Sequence, residues 1–224
     1  MKILNFIFIA LLLTISSFGQ NINQPVNVST AAVEINILDE INEARTNPTK
    51  YIAYLEEYKQ LFRGNTVYFS NGTRMITVEG TKAVDEAINF LKALPKTEPL
   101  KFSNGLSKPA SLQIADLIED SSLGHTSKDG SDLAKRLAKF GFVGNIYAES
   151  LIQNIQTPRE IVLTMLIDDG LKSRGNRKNI LSPKFKQIGI AVGNDRKGDS
   201  LCIAIFTDSF QEKNSNIGSI RISE

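Results

Sequence analysis

The chain has one cysteine, one histidine and no tryptophan in 224 residues. A lone cysteine cannot close an internal disulfide, so the fold must be held by packing and hydrogen bonds. A lone histidine excludes any centre that needs two imidazoles. Charge of one sign is also lacking: 26 basic residues stand against 24 acidic ones, so no global field draws nucleic acid or anionic lipid. No Gly-x-Ser-x-Gly elbow, His-Glu-x-x-His pair, Gly-x-x-x-x-Gly-Lys loop or Rossmann fingerprint occurs. Each absence removes a common class of enzyme.

The one long apolar run lies at the start. Met1 and Lys2 precede an apolar stretch from Ile3 to Ile15, followed by the small residues Ser16, Ser17 and Gly19. This succession reads as a cleaved signal peptide over residues 1–19. At roughly 13 residues the run is short for a bilayer span, and no later segment is apolar enough to replace it. A lipid anchor would need a cysteine just after the run, and Cys202 lies far downstream. The expectation is a secreted or periplasmic protein with no transmembrane segment after cleavage. About 205 residues then remain, enough for one domain with a substantial core.

Residues 20–33 are polar and without period, and read as an exposed lead-in. A domain over 34–212 and a polar tail over 213–224 follow. The apolar spacing turns helical at Glu34, with Ile35, Leu38 and Ile41 on one face. Asn47-Pro48 marks a break and a restart through Tyr51, Leu55 and Tyr58. Phe62 to Glu79 reads as loop or hairpin. Thr81 is placed as the cap of a helix carrying Val84, Ala87, Ile88 and Leu91 that Pro95 ends, and another helix begins near Ser103. Asp129 to Asp132 is a turn feeding a short helix from Leu133 to Phe140. Thr157-Pro-Arg-Glu160 is a capping box. Gln187–Val192 and Leu201–Thr207 form a hairpin, with Cys202 a buried small hydrophobe within it. Helices first and a late antiparallel hairpin imply an α+β layout.

Two segments carry the chemistry. Gly-His-Thr-Ser-Lys-Asp-Gly runs from Gly124 to Gly130, and Ser-Arg-Gly-Asn-Arg-Lys-Asn-Ile-Leu from Ser173 to Leu181, with Ala148-Glu149-Ser150 between them. In this order they resemble the central motifs of the CAP superfamily: the cysteine-rich secretory, antigen five and pathogenesis-related proteins, bacterial type. There the pattern reads His-x-x-x-Asp-Gly, Gly-Glu-Asn-Ile, then Ser-x-Gly-His-Arg-x-Asn-Ile-Leu. The resemblance implies an αβα sandwich with a small antiparallel sheet between helical layers, and makes 58–99 an insertion. It also implies a cleft lined by two histidines and two acidic residues that binds a divalent ion such as zinc in several members. Matched onto this chain, His125 takes the first histidine position, Glu149 the glutamate, and Asn176 the second histidine position. The fourth position falls at Asp168 or Asp169.

An amide in place of an imidazole leaves His125, Glu149 and one carboxylate as the best zinc set, so the expectation is no metal and no cofactor. Asn176 can hydrogen-bond but cannot act as a base. His125 has three readings: a polar residue at a helix end, a cleft residue touching ligand, or a general base oriented by Glu149 or Asp129. Asp129 also reads as a turn former, and Glu149 also reads as the buried partner of a residue such as Arg136. Lys172, Arg174, Arg177 and Lys178 read as a solvated basic loop or as a site for a polyanion or cell-wall partner, and nothing aromatic is interleaved there to stack bases.

The functional expectation is an exported binding or interaction module whose cleft holds His125, Glu149 and Asn176. Its ligand would be a lipid, a peptide or a cell-wall component, and no nucleic acid. The alternative is a secreted hydrolase, protease or cell-wall-acting, with His125 as base and Glu149 as its partner. The leader makes the first prediction: mass spectrometry of the secreted protein should find a chain starting near Gln20, and an intact Met1 would contradict it.

Overall fold

A computed structural model describes residues 30–120, 124–154 and 157–213; the expected leader, residues 20–29 and the tail beyond 213 lie outside them. In chain order the elements are α1 (Thr30–Thr46), α2 (Pro48–Lys59), β1 (Phe62–Arg63), β2 (Thr66–Tyr68), β3 (Arg74–Ile76), α3 (Thr81–Ala93), β4 (Lys101–Phe102) and α4 (Asn104–Glu119). Then come α5 (Leu133–Phe140), β5 (Gly141–Val143), β6 (Tyr147–Gln153), α6 (Pro158–Ile167), α7 (Gly175–Leu181), β7 (Gln187–Asn194), β8 (Ser200–Thr207) and β9 (Phe210–Glu212).

The central sheet has the order β4-β7-β8-β6. β8 pairs antiparallel with both neighbours, Ile205 lying opposite Gly189 on β7 and Glu149 on β6. Side chains alternate across a strand, so β8 serves two cores. Its Cys202, Ala204 and Phe206 pack with the layer of α1, α2, α3, α6 and α7. Its Leu201, Ile203 and Ile205 pack with Leu106, Ala110, Ile114 and Leu117 of α4 and Leu137 of α5. The result is the α+β fold expected, three layers with the sheet in the middle. Truncating a buried Ile of β8 to Ala would cost about 2–5 kcal/mol. Gly189 sets the spacing on one face: a Cβ there would lie 2.2 Å from the Leu106 carbonyl carbon.

The structure differs from the sequence reading at several points. α1 starts at Thr30, so 30–33 belong to the helix rather than to a lead-in, because Val33 packs against the core and Ala31 and Ala32 favour helix. Its inner face carries Ile37, Leu38, Ile41 and Ala44, while Ile35 turns outward at 41% exposure. α3 is preceded by Gly80 at φ 61°, so Thr81 is its first helical residue and not its cap. The hairpin, the capping box at Thr157 and Glu160, and the Ser103 start of α4 are present as read. The stretch 58–99 holds the end of α2, the antiparallel meander β1-β2-β3, and α3.

Cys202 is buried, and burial pushes its thiol up to about 12. Melting should therefore be indifferent to reductant, and a thiol reagent should label Cys202 only in denaturant. Rapid labelling of the native protein would show that the β8 core is open.

Candidate functional site

The segment around His125 is fastened from two helices. Gln113, a polar residue on the otherwise apolar face of α4, donates from Nε2 to the carbonyls of Gly124 (2.9 Å) and Thr126 (3.1 Å). Its Oε1 accepts from the Ser127 hydroxyl at 2.7 Å. From α5, Arg136 donates through Nη1 to the His125 carbonyl at 2.8 Å and through Nη2 to Glu149 Oε2. Glu149 stands on β6, and its other oxygen, Oε1, meets His125 Nδ1 at 2.8 Å. The Glu149 side chain is 3% exposed and the imidazole 62%.

Both readings of Glu149 thus hold at once: it is the buried partner of Arg136 and the hydrogen-bond partner of His125. A carboxylate facing Nδ1 fixes the proton there in the neutral ring and leaves Nε2 toward solvent. The same hydrogen bond favours the charged ring and raises the His125 pKa above its ordinary value. Asp129 does not orient the ring. It closes its own turn, accepting from the Ser131 amide at 2.9 Å and from Lys139 at 2.8 Å.

Asn176 sits elsewhere along β6. Its side-chain amide donates to Asp168 Oδ1 at 2.8 Å, and its backbone N–H donates to Asp168 Oδ2 at 2.9 Å. Asp168 is buried in a left-handed conformation just after α6 and so occupies the acidic position beside Asn176. Asp169 instead accepts from the backbone of Val78 and Glu79. One turn on from Asn176, Asn179 donates to the Ser150 hydroxyl (3.2 Å) and the Glu149 carbonyl (3.4 Å), tying α7 to β6. Asn176 lines a cavity of about 420 Å³ with Leu151 to Asn154 of the β6 end, whereas His125 and Glu149 are not among its walls.

The basic loop is not a solvated face. Lys172 and Lys178 are exposed, but Arg174 and Arg177 are buried. Arg174 grips both oxygens of Glu79 (2.7 and 2.8 Å) and reaches Glu86 at 2.7 Å; Arg177 reaches the other Glu86 oxygen at 2.9 Å. The Arg174 hydrogen bonds hold Glu79 down to about 2. Both glutamates come from 58–99, so the cations fasten this stretch to α7 and the segment just before it. Sequence spacing carries no sign of this pairing, because the partners stand about 90 residues apart, well beyond the reach of helix or strand periodicity.

A divalent ion, which the family resemblance implies, does not fit these residues. Glu149 directs one oxygen to a guanidinium and the other to the protonated imidazole nitrogen, and that neighbouring cation opposes a second one. The Asn176 amide is bonded to Asp168. Among the described residues no three His, Cys, Asp or Glu side chains converge as metal ligands.

A three-layer α+β fold with a His–Glu pair at the edge strand defines the class, and comparison with known proteins names it. The pattern of the Cysteine-rich secretory protein family, CAP, matches residues 38–207. The chain belongs to the CAP family. Uncharacterized protein YkwD of Bacillus subtilis (strain 168) is 28% identical over 109 residues, covering 49% of this chain and 40% of that protein. An extracellular protein containing a SCP domain from Bacillus anthracis str. Ames aligns at a TM-score of 0.41 and 18% identity, over 58% of this chain and 40% of that one. An outer surface protein from Borrelia burgdorferi aligns at a TM-score of 0.42 and 18% identity, over 61% of this chain and 98% of that one. The chain thus matches less than half the length of the two Bacillus proteins.

The two members of the pair should respond differently to mutation. Glu149→Gln leaves the buried Arg136 charge uncompensated and should cost about 3 kcal/mol, whereas His125→Ala at an exposed ring should cost about 1 kcal/mol or less. The pH dependence has a definite sign. Because the folded pKa is raised, the stability gap between the natural protein and His125→Ala is full below about pH 6.5 and closes as pH rises through the folded value. Denaturant melts at several pH values test both. Equal costs, or a gap that widens with pH, would contradict the pairing.

Proposed function

We propose that the chain is an exported, non-catalytic binding module, whose ligand contacts run along β6 from the exposed His125 ring to the Asn176 cavity. The observation that carries this reading is that Glu149 is tied to a buried cation as well as to the ring: Arg136 holds one oxygen and His125 the other, so the carboxylate positions the imidazole from within an ion pair. The pair favours the charged ring and presents Nε2 at the surface, a donor for an acceptor group on a lipid, peptide or cell-wall ligand. No cofactor enters this reading. The apolar run at residues 3–15 and membership of a family described as secretory support export. Among the described residues no helix is long and apolar enough to cross a membrane.

The 2.8 Å contact between Nδ1 and Glu149 also supports the second reading, a hydrolase with His125 as base. Two features weigh against it. A raised pKa keeps the ring protonated to higher pH, and no hydroxyl or thiol is hydrogen-bonded to Nε2 among the described residues. A peptide, an ester and peptidoglycan fragments, each incubated with the natural protein and with His125→Ala, separate the readings. We expect no turnover above the variant. Binding should shift the single histidine resonance and weaken about tenfold in His125→Ala. Turnover lost in that variant would establish the hydrolase.

A further inference from the structure

Among the described residues the outer edge of β6 pairs with no other strand, and it lies beside an apolar groove. Asn154 N–H donates to the Ser200 carbonyl at 2.9 Å and Asp208 N–H to the Ile146 carbonyl at 3.3 Å, so even-numbered residues of this stretch bond to β8. In an antiparallel ladder the residues between them point N–H and C=O away from the partner strand. Glu149 confirms the parity, since its outward carbonyl is the one that accepts from Asn179. Past that cap lie Leu151 and Gln153, whose outward backbone groups face the groove. Across it runs β3, bonded to β2 through Met75, which leaves the backbone of Arg74 and Ile76 pointing outward.

The space between the two strands holds two adjoining cavities of about 420 and 360 Å³ that share Tyr58, Met75, Gln153, Asn154 and Thr164. Ile76 is 84% exposed at its rim. Arg74 closes the end of the smaller cavity, its guanidinium 5.9 Å from the Tyr68 ring, and no carboxylate lies within ion-pair distance of it among the described residues. The carboxylates around the groove are already engaged: Asp168 with Asn176, Asp169 with the Val78 and Glu79 amides, and Glu160, which lines the smaller cavity, with the Thr157 amide and hydroxyl.

We infer that this groove receives an extended peptide that adds a strand to β6, places apolar side chains against Tyr58 and Met75, and sets an acidic group on Arg74. Unpaired backbone donors and acceptors at alternate positions are met in register by another backbone, which a lipid chain does not supply. The Arg74 cation fixes the sign of the terminal charge. This assignment rests on the binding reading above and names the ligand class for the Asn176 end of that surface.

The probe is the blocked peptide acetyl-Val-Leu-Val-Leu-Asp-amide, titrated into the ¹⁵N-labelled full-length mature protein. The Leu151 and Gln153 amides should shift, and N-methylation of alternate peptide residues should weaken binding at least tenfold. Gln153→Pro removes one outward N–H without touching the β8 ladder, so it should melt like the natural protein and bind the peptide several-fold less tightly. Arg74→Glu should do the same for the acidic peptide and not for its Asn counterpart. If Gln153→Pro does not fold, the N-methylated peptides make the same test on the unaltered protein. The inference is overturned if N-methylation changes nothing, if dodecylphosphocholine micelles shift these amides and the peptide does not, or if the edge pairs with a second copy, seen as a dimer in sedimentation. A peptide that shifts only the His125 resonance would also sink strand addition while leaving the binding reading intact.

Discussion

A guanidinium taken out of water costs several kcal/mol unless acceptors compensate it, and among the described residues this chain buries four, three of them almost completely. Arg45, Arg136 and Arg177 are its largest fully buried side chains. Arg45 reaches from α1 to the carbonyls of Glu98, Ile180, Ser182 and Phe185, joining segments more than 130 residues apart. Arg177 reaches from α7 to the terminal carbonyls of α6 at Leu166 and Ile167, where a cation is favoured by the helix dipole. Such hubs do for a single-cysteine chain what cross-links do elsewhere, because any loop that drifts away strands a buried charge.

The third arginine decides the character of the site. Without Arg136 the Glu149 carboxylate would be a buried anion with one exposed imidazole as company, a poised base and partner. With it, Glu149 is neutralised from within and His125 becomes an addition to an ion pair that already exists. The carboxylate that faces His125 is therefore also one half of a buried ion pair. The remaining polar groups along β6, the Asn176 and Asn179 amides, are likewise fixed by Asp168 and Ser150.

What the sequence makes legible follows the range of the interaction. Helix starts at Ser103 and Thr157 and the β7–β8 hairpin are local patterns, and they can be read directly. β6 escapes because Tyr147 to Gln153 does not alternate cleanly: Glu149 and Gln153 fall among apolar neighbours, and both faces of the strand are used. α7 escapes because a helix of seven residues has scarcely two turns in which to show a period. The motif resemblance singles out His125 and Glu149, whose side chains meet at 2.8 Å. It gives no hint that Arg174 and Arg177 turn inward, since their partners Glu79 and Glu86 belong to the stretch outside those motifs. Gln113 carries one signal that spacing offers, a polar residue repeating with Leu106, Ala110 and Leu117 on an apolar face.

β8 is nearly the last element of the chain, yet both helical layers close on it. Until Leu201 to Phe206 have been made, α1, α2, α3 and α6 have only β6 and the Ile188 and Ile190 face of β7 to cover, and α4 has only the Gly189 side of β7 to lean on. A ribosome therefore releases almost the whole domain before any of it can be finished, and folding has to begin with pairings between distant parts of the chain. The two cores close only when the C-terminal strand is in place, and losing even the last ten residues of the described chain would strip Ala204, Ile205 and Phe206 from beneath helices that begin at residue 30.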